Sequence, residues 1–157
     1  MDLKFKVAAR IAKPIEEVFE AVVEPSSLSS YFTTGGAKGR LEKGATVAWE
    51  FHDFPGPVPV EVVDVIPNEK IVLQWEAVDE SGDHADAAGA GYQTTTTMDF
   101  KALEDGRTLV TVTEQGWNEN AAGLKASYGN CEGWTQMLCS LKMWVEHGIN
   151  LRADYYK

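Results

Sequence analysis

A chain of 157 residues, 44% of them hydrophobic and 10% aromatic, holds enough apolar side chain for about one ordinary domain. That composition excludes a disordered chain and a multidomain cofactor enzyme. Its 24 acidic residues against 14 basic ones leave a formal net charge of -10, which repels a phosphate backbone or an anionic leaflet, so no nucleic acid is expected as a partner.

The opening residues alternate, with Leu3, Phe5, Val7, Ala9 and Ile11 on one face and Lys4, Lys6, Ala8, Arg10 and Ala12 on the other. This is the period of a strand with one buried side. Pro14 suits a first helical position, Glu16 and Glu17 sit where the helix dipole favours negative charge, and Ile15, Val18, Phe19 and Val22 recur at helical spacing. Pro25 ends that helix, and Ser26 is placed to cap a second brief one through Leu28, Tyr31 and Phe32.

From Gly35 to Trp117 the helical period disappears. Strand-like runs lie around Lys38 to Leu41, Ala45 to Phe54, Val58 to Ile66, Lys70 to Val78, Tyr92 to Leu103 and Arg107 to Gly116. Turn residues such as Pro55-Gly56-Pro57, Pro67-Asn68-Glu69 and Glu104-Asp105-Gly106 separate them, and with the first strand they predict about seven antiparallel strands. The helical period then returns: Trp134, Met137, Leu138, Leu141, Trp144 and Val145 form one apolar stripe on a helix from near Cys131 to His147. Ala121 to Ser127 predict a preceding turn or two, broken at Gly129-Asn130, and Gly148 is placed to terminate the long helix. With no linker or repeat, residues 1 to 157 read as one α+β domain, a curved sheet wrapped around the terminal helix with two short helices after the first strand.

A bent sheet does not follow a straight helix along its whole length, so a gap between them is expected. Strand parity points Val47, Trp49 and Phe51 inward from one strand, Leu73 and Trp75 from another, and Met98 and Phe100 from a third. With Val110, Val112, Trp134 and Leu138 these residues are candidates to line a ligand cavity, while simple core packing accounts for each of them equally well. Trp49, Trp75 and Trp134 are the strongest, because large rings suit the border of an irregular space. Glu114 shares parity with Val110 and Val112, which aims a carboxylate at the core, where desolvation raises its pKa; a twist or bulge at Gly116 would instead leave it in solvent. It is the weak catalytic candidate, with Tyr92 as a second proton-moving group.

Other chemistry finds little support. Cys131 and Cys139 stand eight positions apart on one helix, about 12 Å, too far to pair, and read as buried small hydrophobes. The loop from Val78 to Asp86 gathers carboxylates and His84 but matches no calcium loop; it reads as a solvated acidic hairpin tip or a lid, with the Ala/Gly run through Gly91 as its connection. His52, His84 and His147 lie beside no nucleophile. Thr34-Gly35-Gly36-Ala37-Lys38-Gly39 lacks the order of a phosphate loop, and Gly89-Ala90-Gly91 leads into a strand rather than a helix. No metal and no cofactor are expected. No apolar run nears the ~20 residues that cross a bilayer, and Met1 to Lys4 lack a signal peptide's apolar centre, so the expectation is a cytoplasmic protein without a membrane partner.

The stretch Ile11-Ala12-Lys13-Pro14-Ile15-Glu16-Glu17-Val18-Phe19, followed by Leu28 through Tyr31-Phe32, resembles the opening signature of the START-like (SRPBCC) superfamily. Val112-Thr113-Glu114-Gln115-Gly116-Trp117 and the run from Gly133-Trp134 to Lys142, ending at Glu146-His147-Gly148, resemble the branch related to the heat-shock chaperone ATPase activator (AHSA-like). The resemblance implies the helix-grip fold and a hydrophobic cavity between sheet and helix, in a superfamily whose members bind lipids, hormones or polyketides. It points first to non-enzymatic binding of a small hydrophobic molecule. The alternatives are a cyclase or hydratase using Glu114 and a chaperone-associated interaction protein, the latter weakened by the want of a further domain. A homodimer through strand edges or helix ends is compatible with these elements, though no residue pattern specifies it.

Overall fold

The structure is a computed structural model that describes residues 1–79 and 88–156. Its elements in chain order are β1 (Lys4–Ile11), α1 (Ile15–Val23), α2 (Pro25–Tyr31), β2 (Gly36–Lys38), β3 (Thr46–Glu50), β4 (Val58–Ile66), β5 (Lys70–Asp79), β6 (Ala88–Ala102), β7 (Thr108–Gln115) and α3 (Ala121–His147). The strands form a seven-stranded antiparallel sheet in the order β1-β7-β6-β5-β4-β3-β2. This is the expected α+β helix-grip arrangement, with α3 packed on β1 and β5 and against α1 and α2.

Register shifts between Val62 and Asp64, and between Glu76 and Val78, interrupt the β4–β5 and β5–β6 ladders. Such bulges bend a strand and increase its twist, which is how the sheet curves around the helix. At the second of them Gly91 takes a φ of 78°, and its N–H donates to Glu76 Oε1 at 3.1 Å. Ala88 to Gly91 therefore belong to β6 rather than to a connection ahead of it, and the strand starts four residues earlier than the predicted Tyr92. The predicted lid or acidic tip lies largely outside the described residues, and so does His84.

Several boundaries moved for identifiable reasons. Predicted at Lys38 to Leu41, β2 instead ends at Lys38, because Gly39 turns the chain with a φ of 95° and the Leu41 N–H donates to the Val23 carbonyl. Strand β3 stops at Glu50, so Phe51 and His52 leave it, and the His52 N–H donates to Thr34 Oγ1. Pro14 is the N-cap of α1, whereas Pro25 opens α2 after Glu24, whose carboxylate caps it in place of Ser26.

The largest difference is in α3, a continuous helix of 27 residues with no break at Gly129-Asn130. A glycine in a helix costs only about 1 kcal/mol, and here Asn130 is tied by its side chain to Glu114. Tertiary contact outweighs the local propensity. The Asn120 side chain accepts from the Gly123 N–H at 2.8 Å, and Gly148 ends the helix with a φ of 68°. Asn120→Ala is expected to lower stability by about 1 kcal/mol, read as an earlier urea midpoint at unchanged slope.

The stripe on α3 buries Trp134, Met137, Leu138 and Leu141, and places Trp144 and Val145 at the core's edge. Cys139 lies on the opposite, exposed face and Cys131 is half-buried, so neither is the buried hydrophobe its type suggests; both are free thiols. Among the described residues no helix is long and apolar enough to cross a membrane.

Candidate functional site

Sheet register and one face of α3 build a buried polar centre. Trp75 on β5 pairs with Thr94 on β6, and Thr96 pairs with Glu114 on β7. Residues four apart on a helix share a face, so Asn130 and Trp134 descend together from α3 onto the same spot. Glu114 Oε1 accepts from Trp75 Nε1 at 2.8 Å, Thr94 Oγ1 at 2.7 Å and Asn130 Nδ2 at 3.0 Å, and Oε2 accepts from Trp134 Nε1 at 2.9 Å. Glu114 is fully buried alongside Val110 and Val112, since Gly116, with its φ of 107°, turns the chain only after the strand has ended.

Burial pushes the Glu114 carboxyl above the ordinary glutamate value of 4.5, and the hydrogen bonds from Trp75, Thr94, Asn130 and Trp134 pull it part of the way back. No cation offsets its charge among the described residues. The indoles of Trp75 and Trp134 can only donate, whereas the Thr94 hydroxyl can also accept and so can receive a hydrogen bond from the protonated acid.

Beside this centre a cleft of about 400 Å³ opens to solvent. One wall is the segment after β3, through Phe51, Phe54 and Val58, and the end of β5 supplies Trp75, Glu76 and Val78. Asn130, Gly133, Trp134 and Gln136 of α3 and the C-terminal Arg152, Tyr155 and Tyr156 complete it. Its aromatic surface is continuous: Phe32 lies 5.4 Å from Trp134 in a stacked pair and 5.2 Å from Phe51, and Trp75 lies 5.6 Å from Trp134. Trp75, Asn130 and Trp134 thus face the cleft while their N–H groups are held by Glu114 behind it.

Of the residues that parity points inward, Phe51, Trp75 and Trp134 line the cleft. Val47, Trp49, Leu73, Met98, Phe100, Val110, Val112 and Leu138 are buried in the main core and lie outside its lining. The reason is that helices cover the inner face there: α1 packs on β6, where Phe19 meets Phe100 edge-on at 5.0 Å, and α2 packs on β2. The cleft lies where the segment after β3, the end of β5, α3 and the C-terminal residues meet. Trp49 sits one layer behind, edge-on to Trp75 at 5.9 Å. Tyr92 belongs to a satellite cluster with Ala77, Trp117 and Ala126, and its hydroxyl is buried without a hydrogen-bond partner among the described residues.

His52 lines a second cavity of about 150 Å³, and His147 sits in the last turn of α3. Among the described residues no group of three or more His, Cys, Asp or Glu is placed to hold a metal ion.

The C-terminal contribution went unseen in the sequence. Arg152 is 8% exposed, lies 5.5 Å over the Phe32 ring and 5.4 Å over that of Tyr156, and lines both cavities together with Phe32, Tyr155 and Tyr156. The only signal was an arginine and two tyrosines clustered after the helix-ending Gly148.

With this geometry, the family described as "Activator of Hsp90 ATPase homolog 1-like protein" matches residues 12–146. The chain belongs to that family. No protein of curated function matches it. Among solved structures, the activator-homolog fold recurs in the protein SSP2350 from Staphylococcus saprophyticus, at 26% identity and a TM-score of 0.74 over 96% of both chains. It recurs in the Aha1 dimer from Colwellia psychrerythraea, at 21% identity and a TM-score of 0.71 over 93% of this chain and 98% of that one. DynU16, a protein of the dynemicin biosynthetic locus, shares 19% identity with a TM-score of 0.74 over 92% of this chain and 48% of its own, so the chain spans about half of DynU16.

Proposed function

We propose that this activator-homolog-like chain binds a small molecule with a flat apolar body in the cleft, without catalysing its conversion. The observation that carries this reading is the continuous surface of Phe32, Phe51, Trp75 and Trp134 along a cleft of about 400 Å³, a size suited to one small ligand. Flat rings offer stacking area at little entropic cost, and the grip of Glu114 on Trp75 and Trp134 holds two of them in place before a ligand arrives.

Binding is favoured over a cyclase or hydratase reaction because Glu114 lies outside the cleft's lining, with both carboxylate oxygens already engaged. A general acid or base must come within hydrogen-bond reach of the atom it serves. Glu114 acts here as a positioning residue. The presence of DynU16 in a biosynthetic locus agrees with small-molecule handling by this fold.

Gly133 provides the test, since it lines the cleft and a Cβ built on it meets no atom within 4 Å. Uncharged N-phenyl-1-naphthylamine is expected to bind the wild-type chain saturably and quench tryptophan emission. Gly133→Phe is expected to weaken that binding at least tenfold, with stability unchanged or raised by up to about 1 kcal/mol through better helix propensity. Absence of binding to the wild type, or equal binding to the plugged variant, would overturn the reading.

A further inference from the structure

The C-terminal arginine makes the cleft electrically asymmetric. The guanidinium of Arg152 donates from Nη1 to the Phe32 carbonyl at 2.6 Å and from Nη2 to Gln136 Oε1 at 3.1 Å and to the Tyr156 hydroxyl at 2.7 Å. All three acceptors are neutral. Among the described residues no carboxylate reaches it, and its Nε–H is buried with no acceptor. Arginine keeps its charge under all ordinary conditions, so among the described residues this is a buried cation without a carboxylate partner.

Buried charges in folded proteins are ordinarily paired. In a chain of net charge -10, a buried arginine that no described carboxylate reaches calls for a physical account. Glu114, the buried acid, is already committed to the two indoles, Thr94 and Asn130. Asp53, Glu76 and Glu132 also line the cleft, but all three residues are exposed, at its mouth. Glu76 holds the Gly91 N–H and Glu132 holds the Gln136 amide. Water and salt screen such exposed charges, whereas a charge presented from a buried guanidinium is screened far less.

We infer that the ligand of the cleft is acidic, a flat apolar body carrying an oxyanion such as a carboxylate or sulfonate, with Arg152 as its charge partner. The inference rests on the cleft-binding reading above and adds the chemical class of the ligand. Phe32, under the guanidinium and stacked on Trp134, links the charged end of the cleft to its aromatic wall, so one molecule can meet both. An anion also supplies the buried cation with a counter-charge that no described carboxylate gives it.

The test compares two probes with the same rings, uncharged N-phenyl-1-naphthylamine and 8-anilino-1-naphthalenesulfonate, titrated into the full chain at near-physiological salt. The sulfonate is expected to bind at least tenfold more tightly, despite the overall negative charge, and to lose its binding in Gly133→Phe. Arg152→Gln should bring the two affinities within about twofold of each other, the sulfonate's falling at least fivefold further than the neutral probe's. Arg152→Lys, which keeps a cation, should retain part of the preference. If Arg152→Gln does not fold, the wild-type ratio and the plugged variant still decide. Equal affinities in the wild type, a preference that survives Arg152→Gln, or sulfonate binding that survives Gly133→Phe would overturn the inference and leave the cleft reading standing. Failure of both probes to bind would remove the cleft reading and this inference together.

Discussion

Glu114→Ala is expected to destabilise the protein by about 3–5 kcal/mol, because it leaves a void and strips the acceptor from four donors at once. The fully buried Trp134 N–H has no water to turn to, whereas Asn130 and Trp75 sit at the cleft and recover part of their loss. Glu114→Gln separates charge from shape. Its amide oxygen can accept what Oε1 accepts, but its amide nitrogen confronts the Trp134 N–H donor to donor, at a cost of about 1–3 kcal/mol.

The same pair reports the charge state. Burial raises the Glu114 carboxyl in the folded protein above 4.5, so the folded state holds its proton to higher pH than the unfolded chain does. The group's stabilising contribution is therefore fully present below pH 4.5 and is lost as pH rises through the raised folded value. Urea midpoints followed by tryptophan emission should show the advantage of wild type over Glu114→Gln shrinking across that window. An advantage that grows with pH would mean that the four donors outweigh desolvation.

Trp134→Ala carries the second large effect, about 3–5 kcal/mol for removing a buried indole. That ring stacks on Phe32, meets Trp49 edge-on at 6.5 Å and Trp75 at 5.6 Å, and so holds the aromatic wall together. Uptake of the neutral naphthylamine should fall with it. Trp134→Phe keeps a ring but removes the N–H that satisfies Glu114 Oε2, which costs about 1–2 kcal/mol. It also deletes one of the bonds that lower the carboxyl's pKa, widening the pH window of the wild type.

Combined with Glu114→Gln, the phenylalanine removes the donor facing the new amide. The double variant should be more stable than the sum of its parts predicts, by about 1 kcal/mol or more. Strict additivity would show that the indole N–H and the carboxylate do not interact energetically.

Much of this centre can be read from local pattern. The alternation through Val110, Val112 and Glu114 places the carboxylate with the core valines, and that parity holds because Gly116 disturbs the chain only beyond the last strand residue. Phe51 is a different case. It lines the cleft not as an inward strand residue but from the segment that follows β3, after the strand gives way to the turn closed by the Phe54 N–H on the Phe51 carbonyl. The pairing of Trp75 with Thr94 depends on a hairpin register that the turn residues alone do not specify.

By itself, the order of amino acids determined the periods, and through them the sheet, the three helices, the buried faces and the family. Period is a local property, set by the repeat of a strand or a helix, and it survives whatever the rest of the chain does. Tertiary structure alone decided which buried faces meet. It carried α3 unbroken past Gly129, so that Asn130 and Trp134 reach Glu114 from across the core. It packed α1 on β6 and α2 on β2, which covers those faces and leaves the cleft between the end of β5, α3 and the C-terminal residues. And it folded Arg152 back over Phe32, a residue 120 positions away, because only packing between distant segments can seat a cation there.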